Sequence, residues 1–176
     1  VGSEMCIRDR SLKGRNLSDA DFAGACLETC DLTGARLDNA NFFGADMQDA
    51  ILSDASLRRA DLRGACLRGA DLSGADLFEA DLREGTIAAA DAKLGFKIIE
   101  PRQRDQTQVG GACLAGANLQ RSKMAGVIAI KADFSGAVMK DCKLVRSNLK
   151  QADFRGADLA GADLSGADLS LSLIHI

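Results

Sequence analysis

The sequence predicts an all-β fold whose backbone turns a corner once every five residues. The segment ADFRGADLAGADLSGADL, residues 152–169, repeats a small residue, an aspartate and a large apolar residue with a period of five. An α-helix would scatter Phe154, Leu159 and Leu164 around its circumference, because five residues advance a side chain by about 140° net. A flat strand would place them on alternate faces, because its period is two. A corner in each repeat lets every large residue point toward one central axis.

The five-residue period covers most of the chain of 176 residues. It holds for 16 consecutive units centred on residues 12–87 and for 12 units centred on residues 114–169. From Ala20 to Ala80 the residue two places before each centre is alanine in every unit except one, which has Cys30, and residues i−2 and i share one face of a strand. A narrow bore lined by one small and one large residue per unit explains this pattern. In the unit centred on Ala129 the two positions look exchanged, with Val127 at the small position.

The repeat unit resembles that of a known family. Residues 60–64 (ADLRG) and 70–74 (ADLSG) follow the pattern A-(D/N)-L-x-x, in which the chain resembles the pentapeptide-repeat proteins over residues 12–92 and 112–170. That resemblance implies a right-handed quadrilateral parallel β-helix with four repeats in each square coil. The 28 units would then form about seven coils. At a strand spacing of about 4.8 Å, such a stack is about 34 Å long.

Non-repeat segments divide the chain. We predict a non-repeat tail over residues 1–11, a first repeat block over 12–92, an inserted loop or linker over 93–111, a second repeat block over 112–170 and a non-repeat tail over 171–176. The insertion shifts the register, because 27 residues separate Ile87 from Leu114, which is five units plus two. Neither end carries a capping pattern, so we expect an internal fragment of a longer solenoid.

The other positions of the repeat also have structural reasons. Asp or Asn before the large residue suits a corner, because short polar side chains bond the turning backbone. Gly two places after the large residue eases the bend. Phenylalanines one full coil apart share a face of the solenoid, so we expect ring stacking between Phe22 and Phe42 and between Phe134 and Phe154.

No catalytic, metal-binding or cofactor-binding site is predicted. The single histidine, His175, lies in the C-terminal tail, and Ser, Cys and Asp recur as repeat positions rather than as a convergent cluster. No CxxC pair occurs, so a zinc site is not expected. Cys26 and Cys66 share a face but lie two coils apart, about 9.6 Å, which is beyond disulfide reach. We therefore expect a protein that is not an enzyme and carries no cofactor.

The chain has no apolar run long enough to span a membrane and no clear signal peptide. We predict a cytoplasmic, bacterial-type protein without a membrane partner. Its oligomeric state is left open by the sequence.

Charge is uneven along the chain. Residues 11–90 carry a net charge of −6 and residues 111–170 a net charge of +2. Within residues 121–150, which we call the basic band, seven basic side chains stand against two acidic ones, a net charge of +5. The band is either a solvated surface, which we favour, or a binding surface for an acidic partner. Specific binding of single-stranded nucleic acid is not expected, because stacking aromatic side chains are absent there apart from the inward Phe134.

Two groups of residues are candidate partner contacts. The insertion combines apolar and basic side chains, and inserted loops on repeat scaffolds often carry contacts. The candidates are Phe96, Ile98, Ile99, Arg102 and Arg104 in the insertion and Arg121, Lys123, Lys140, Lys143, Arg146 and Lys150 in the basic band. The alternative for the insertion is a tolerated loop or linker without contacts.

Two functions agree with the sequence. The first is a non-enzymatic scaffold, a rod that presents its faces to an unknown protein partner. The second follows from the family resemblance, because some pentapeptide-repeat proteins protect DNA gyrase and confer quinolone resistance by resembling a DNA rod in width and negative charge. A mimic needs a continuous acidic face; Asp21, Asp61 and Asp81 share one. Arg63 and Arg83 lie on that same face and oppose its charge. We therefore expect a scaffold, with gyrase binding as the alternative.

Overall fold

The backbone forms a solenoid of square coils. The computed structural model describes residues 11–83, 88–91, 95–98 and 111–174. Parallel bridges join equivalent residues of successive coils, and the fold is the predicted right-handed quadrilateral parallel β-helix. One column of bridges passes through eight residues, from Ser11 to Leu173. Its seven intervals agree with the predicted number of coils.

Each corner is a turn closed by one backbone hydrogen bond. In the first described unit the amide of Arg15 donates to the carbonyl of Leu12 over 3.1 Å, and the same bond recurs in unit after unit. The third residue of the turn has a positive φ, as type II turns require. Asp54 (φ 57°) and Gly74 (φ 67°) occupy this position in successive coils. Glycine leaves room at the second of them, because a Cβ on Gly74 would lie 2.6 Å from the Asp54 carboxylate and would displace that side chain.

The aspartates and asparagines before the large residues hold the corners, as predicted. The Asp71 carboxylate accepts the amide of Ser73 over 2.9 Å. This bond satisfies an amide that makes no bond in the parallel ladder. Similar side chains also link coils, since Asn41 Nδ2 donates to Asp21 Oδ1 over 2.9 Å. A polar side chain at this position can therefore stabilise both the turn and the stack, as Asn41 does.

Two layers of side chains fill the bore. Every large residue from Leu27 to Leu82 is fully buried, and the small residues two places before them are buried as well. The rings of Phe22 and Phe42 stack with their centroids 5.1 Å apart, and those of Phe134 and Phe154 stack at 5.0 Å. The predicted stacking is confirmed, and each pair adds about 0.5–1.5 kcal/mol beyond area burial.

The unit centred on Ala129 preserves the core by exchanging its two inward residues. Val127 and Ala129 are both fully buried, so valine fills the small position and alanine the large one. The exchange predicted from the sequence is confirmed. The neighbouring Ile128 and Ile130 are only partly buried, as residues of the outer surface are.

The two repeat blocks form one continuous solenoid. Across the insertion Asp71 bridges Cys113, and Asp76 bridges Asn118. Bridged residues within a block are separated by 20 in the numbering, as Asn41 and Asp21 are, but those across the insertion by 42, as Asn118 and Asp76 are. The insertion therefore lengthens one coil by four five-residue units and two further residues. These two residues account for the register shift seen in the sequence. The hydrogen-bond ladder is thus continued from the first block to the second.

The end of the first block differs from the sequence prediction. β1 (Ala88–Asp91) and β2 (Gly95–Ile98) pair antiparallel, with Ala90 opposite Phe96, whereas the described bridges between coils are all parallel. The first block was predicted to extend to residue 92, but its last three residues, Ala90 to Ala92, contain no large apolar residue to anchor a unit in the bore. Residues 88–91 form one strand of the antiparallel pair instead. The preceding predicted centre, Ile87, lies outside the described residues.

The C-terminal segment also differs from the prediction of a non-repeat tail over residues 171–176. Leu173 bridges Asp153, and Ile174, one full coil after Phe154, packs against the core. A serine at the small position and an isoleucine at the large position are sufficient to continue the repeat. The prediction overlooked this because the aspartate before the large residue is missing.

Leu67 and Arg68 provide a test of the inward and outward assignment. Leu67 is fully buried, so Leu67→Asp places a carboxylate without a partner in the bore. We expect the free energy of unfolding to fall by about 3–5 kcal/mol. Arg68→Ala, on the outer surface of the same unit, is expected to change it by less than about 0.5 kcal/mol. Urea unfolding followed by circular dichroism measures both, and equal midpoints for the two variants would contradict the assignment.

Candidate interaction surface

The outer surface of the solenoid consists of four walls. Within one coil the four units are centred on Leu52, Leu57, Leu62 and Leu67, and we number walls 1 to 4 after them. Every other unit belongs to the wall of the unit that it bridges, and the units centred on Ala129, Leu149 and Leu169, which bridge one another, follow wall 3 in each coil and form wall 4 of the second block. Because the coils stack in register, equivalent side chains of successive coils form columns on each wall, and on walls 1 to 3 these columns continue across the insertion.

The basic band loses most of its net charge when the coils stack. Five of its cations pair with carboxylates on a neighbouring coil. The pairs are Arg121 with Glu79 (3.0 Å), Lys123 with Asp81 (3.9 Å), Lys140 with Asp158 (3.1 Å), Lys143 with Asp163 (4.0 Å) and Lys150 with Asp168 (3.2 Å). Within the described part of the chain, Lys131 and Arg146 make no ion pair. This pairing supports the interpretation of the band as a solvated surface.

Wall 3 carries the aspartates that a DNA mimic would need, and arginines bond them. Arg63 donates to both carboxylate oxygens of Asp61, at 2.8 and 2.6 Å, and Arg83 does the same to Asp81, at 2.9 and 2.6 Å. Burial would raise the pKa of Asp81, but the bonds from Arg83 and the charge of Lys123 lower it overall. The geometry supports the expectation that these arginines weaken the negative potential of this face.

Wall 1 is acidic in a way that the sequence analysis did not find. Five successive units of this wall include no Lys or Arg, and they are centred on Leu32, Leu52, Leu72, Leu114 and Phe134. The carboxylates of these units, which we call the acidic wall, are those of Asp31, Asp54, Asp71 and Asp133. A charge count by sequence block separates Asp133 from the other three. The columns across the insertion would have revealed the wall, but they require the longer spacing that the insertion creates.

A groove of about 550 Å³ lies along the corner between walls 2 and 3. Its lining consists of Arg59, Ala60, Asp61, Arg63, Glu79, Asp81, Arg121 and Lys123. We call it the corner groove. Three of its four cations are in ion pairs. Arg59 has no ion-pair partner among the described residues, although its side chain lies in the same groove.

Two outward phenylalanines lie beside the corner groove and are covered by arginines. The guanidinium carbon of Arg58 lies 4.7 Å from the ring centroid of Phe78, and that of Arg121 lies 5.8 Å from it. The guanidinium of Arg63 lies 5.4 Å from the centroid of Phe43. Such contacts favour one position of a long side chain over the others that it can adopt. Two arginines of the groove, Arg63 and Arg121, are therefore restrained by the rings.

The structure brings only some of the predicted contacts together. Arg121 and Lys123 line the corner groove. The other candidates of the band are distributed over three walls, with Lys140 on wall 2, Lys143 and Arg146 on wall 3 and Lys150 on wall 4.

The candidates of the insertion stay predictions. Only the backbone of Phe96 and Ile98 is described, in β2, and Ile99, Arg102 and Arg104 lie outside the described residues.

Comparison with known proteins identifies the family. The family model for pentapeptide repeats matches residues 16–54, 55–87, 106–141 and 132–170, in 8 copies. The chain belongs to the pentapeptide-repeat family. A trypsin-treated form of QnrB1, a plasmid-mediated fluoroquinolone resistance protein, is similar to it with a TM-score of 0.62 and 20% sequence identity, over 96% of this chain and 79% of that one. This likeness shows the fold alone.

Two other solved pentapeptide-repeat proteins are similar to the chain. HetL, involved in heterocyst differentiation regulation in the cyanobacterium Nostoc sp. strain PCC 7120, is 26% identical over 96% of this chain and 86% of that one, with a TM-score of 0.25. A thylakoid-lumen protein of Arabidopsis thaliana is 29% identical over 74% of this chain and 68% of that one, with a TM-score of 0.36. No curated protein sequence matches the chain.

The described part of this pentapeptide-repeat chain contains no group of three or more His, Cys, Asp and Glu side chains that could hold a metal ion. None of its cysteines, which are Cys26, Cys30, Cys66, Cys113 and Cys142, forms a disulfide. Burial raises the pKa of Cys142 to about 11, so this thiol is protonated at neutral pH. A search of the same residues for a helix able to cross a membrane finds none.

Hydrogen bonds lower the pKa of aspartates in the last coils. The Ser165 hydroxyl donates to Asp163 over 2.6 Å and the Ser165 amide over 3.1 Å. These bonds, together with the charge of Lys143, lower the pKa of Asp163. A carboxyl whose pKa is lower in the folded than in the unfolded chain stabilises the fold at pH values above its unfolded pKa, which is about 4. This contribution is lost as the pH falls through the folded pKa. The repeat is therefore expected to lose stability in acid below about pH 4.

Ser165→Ala tests this cause. Without the hydroxyl bond, the carboxyl of Asp163 is expected to titrate at a higher pH than in the parent chain. Carboxyl chemical shifts followed by NMR during a pH titration measure the change. Ser135→Ala is the matched control, because within the described residues the Ser135 hydroxyl donates to no carboxylate, although its amide bonds Asp133 over 2.8 Å. A titration of Asp163 that is the same in all three chains would contradict the assignment.

Proposed function

We propose that this pentapeptide-repeat chain is a non-enzymatic cytoplasmic scaffold that binds a protein partner through its walls. One observation carries the proposal: a single buried core runs through both repeat blocks, and three columns of parallel bridges join them. Such a core holds the outward side chains at fixed spacings along a rod. Members of the family are generally non-enzymatic structural or interaction proteins.

The differences between the walls support binding on one side of the rod. The acidic wall is lined by small side chains such as Thr33 and Ser73. The corner groove instead carries arginines beside the partly buried rings of Phe43 and Phe78. The core does not require this difference, because outward positions make no contribution to filling the bore. A partner would therefore recognise one wall or corner rather than the rod as a whole.

Adding one bulky uncharged side chain to each wall in turn tests the scaffold. The variants Ser73→Trp on wall 1, Gln120→Trp on wall 2, Ala125→Trp on wall 3 and Gln48→Trp on wall 4 all alter the outward residue that follows the large inward one. A scaffold is expected to retain a stoichiometric partner from cells that encode it, and to lose that partner in one or two adjacent variants. Affinity capture followed by quantitative mass spectrometry measures the retention.

A fifth variant tests the insertion in the same assay. Deleting residues 88–109 removes the extra four units plus two and gives Asp71 and Cys113 the spacing of a regular coil. Loss of the partner in this variant alone would assign binding to the insertion. Equal retention in all five variants would contradict wall-specific binding, provided that their melting temperatures match the parent.

Gyrase binding by DNA mimicry is the second candidate, and the acidic wall is the observation that favours it. This wall carries four carboxylates over five successive units, about 19 Å at a spacing of about 4.8 Å per coil. DNA advances about 3.4 Å per base pair, so the wall corresponds to about six base pairs. This short footprint favours the scaffold over the mimic.

A supercoiling assay with a quinolone present distinguishes the two candidates. We expect the purified chain to give no protection of DNA gyrase, because wall 3 is neutralised by arginines and the acidic wall is short. Restored supercoiling that is lost in Asp54→Lys with Asp71→Lys, but kept in Asp61→Lys with Asp81→Lys, would establish mimicry through the acidic wall. The second pair is matched to the first in charge and differs from it in wall.

A further inference from the structure

We propose that the corner groove binds an acidic segment of the partner protein, and that Arg59 is its central contact. The proposal rests on the scaffold function and adds to it a surface and the chemistry of the partner. It differs from the hypothesis of a basic band, since most cations of that band are occupied by carboxylates of neighbouring coils.

The charge of the corner is the first observation. Arg83 lies beside the groove and pairs with Asp81, so the corner holds five cations against three carboxylates. Each carboxylate is already in an ion pair. The pairs are Asp61 with Arg63 (2.6 Å), Glu79 with Arg121 (3.0 Å) and Asp81 with both Arg83 (2.6 Å) and Lys123 (3.9 Å). The corner thus has a surplus of two positive charges in a chain of net charge −3.

Arg59 is the second observation. It is exposed and occupies a turn position with φ 57°, and Glu79 follows it in the same column one coil away. Glu79 pairs with Arg121 on the far side, at 3.0 Å. The guanidinium of Arg59 consequently has no carboxylate partner within the described residues. A planar guanidinium with free donors binds an incoming carboxylate through two parallel hydrogen bonds.

Order in the arginine side chains is the third observation. Phe78 contacts the guanidinium groups of both Arg58 and Arg121, and Phe43 contacts that of Arg63. Binding loses less side-chain entropy when the contacting groups are held in place beforehand. Aromatic residues and arginine are also the residue types enriched at the centres of protein interfaces.

The same features favour an acidic protein segment over a nucleic acid. Single strands bind by stacking bases on exposed aromatic rings, but arginines cover the rings of Phe43 and Phe78. A continuous phosphate chain would also pass the carboxylates of Asp61, Glu79 and Asp81, which repel it. Separate Asp or Glu side chains can reach the cations between these carboxylates.

A peptide titration tests the proposal. The probe is a fluorescein-labelled peptide of alternating Glu and Gly, and fluorescence anisotropy measures its dissociation constant at low salt. We expect Arg59→Glu to weaken binding at least about tenfold, since it removes a charge-assisted bond and adds a repulsive charge. Arg68→Glu is the matched control, because Arg68 is exposed in the same coil on wall 4. This control is expected to change the constant less than about twofold, since the charge is remote and screened.

Three outcomes would overturn the proposal. The first is no binding of the peptide by the parent chain, and the second is equal weakening by Arg59→Glu and Arg68→Glu. The third is tighter binding of a thymidine oligonucleotide with the same dependence on Arg59. The wall variants test the scaffold separately, so a partner that is lost only with the wall 1 variant would refute the groove while leaving the scaffold intact.

Discussion

The narrow bore of the solenoid is the constraint on which the rest of the structure depends. Each unit contributes one small and one large inward side chain, and both layers are almost completely buried. In the unit centred on Ala129 the two inward residues are exchanged, and Val127 compensates for the small volume of the alanine. The combined volume of the two inward side chains therefore matters more than which position holds the larger one. Polar side chains are tolerated inside only when they are bonded, as Ser147 is to the carbonyl of Met124 at 2.7 Å. The inward half of the sequence is therefore strictly limited in composition, and the outward half is not.

Stacking places residues from distant parts of the sequence side by side, and this determines the surface chemistry. Lys123 has Asp81 as a neighbour although the whole insertion separates them in the sequence. A run of basic residues in the sequence thus becomes a set of short-range pairs on the folded wall. Conversely, carboxylates spread over both blocks, such as Asp71 and Asp133, meet on a single wall. Function in such a rod depends on the columns of each wall rather than on neighbours in the chain.

Most of the fold could be predicted from the sequence, because one rule repeats in every unit. The period located the core residues, the stacking of Phe134 on Phe154 and the exchange at Ala129. The rule was less informative where it had to be relaxed, as at Ile174, which continues the core without an aspartate before it. The candidate surface was less predictable. The corner groove depends on the register across the insertion, and a period alone does not determine that register.

The insertion has a consequence for how such rods can be altered. Residues before and after it bridge each other as successive coils do, for instance Asp81 and Lys123. The coil is therefore held in place by its bridges to the coils above and below, and not by the segment that connects its ends. A foreign peptide grafted between residues 83 and 111 would not disturb these bridges, because they do not depend on the connecting segment. The solenoid could therefore display the peptide on one corner without a change to its own hydrogen-bond ladder.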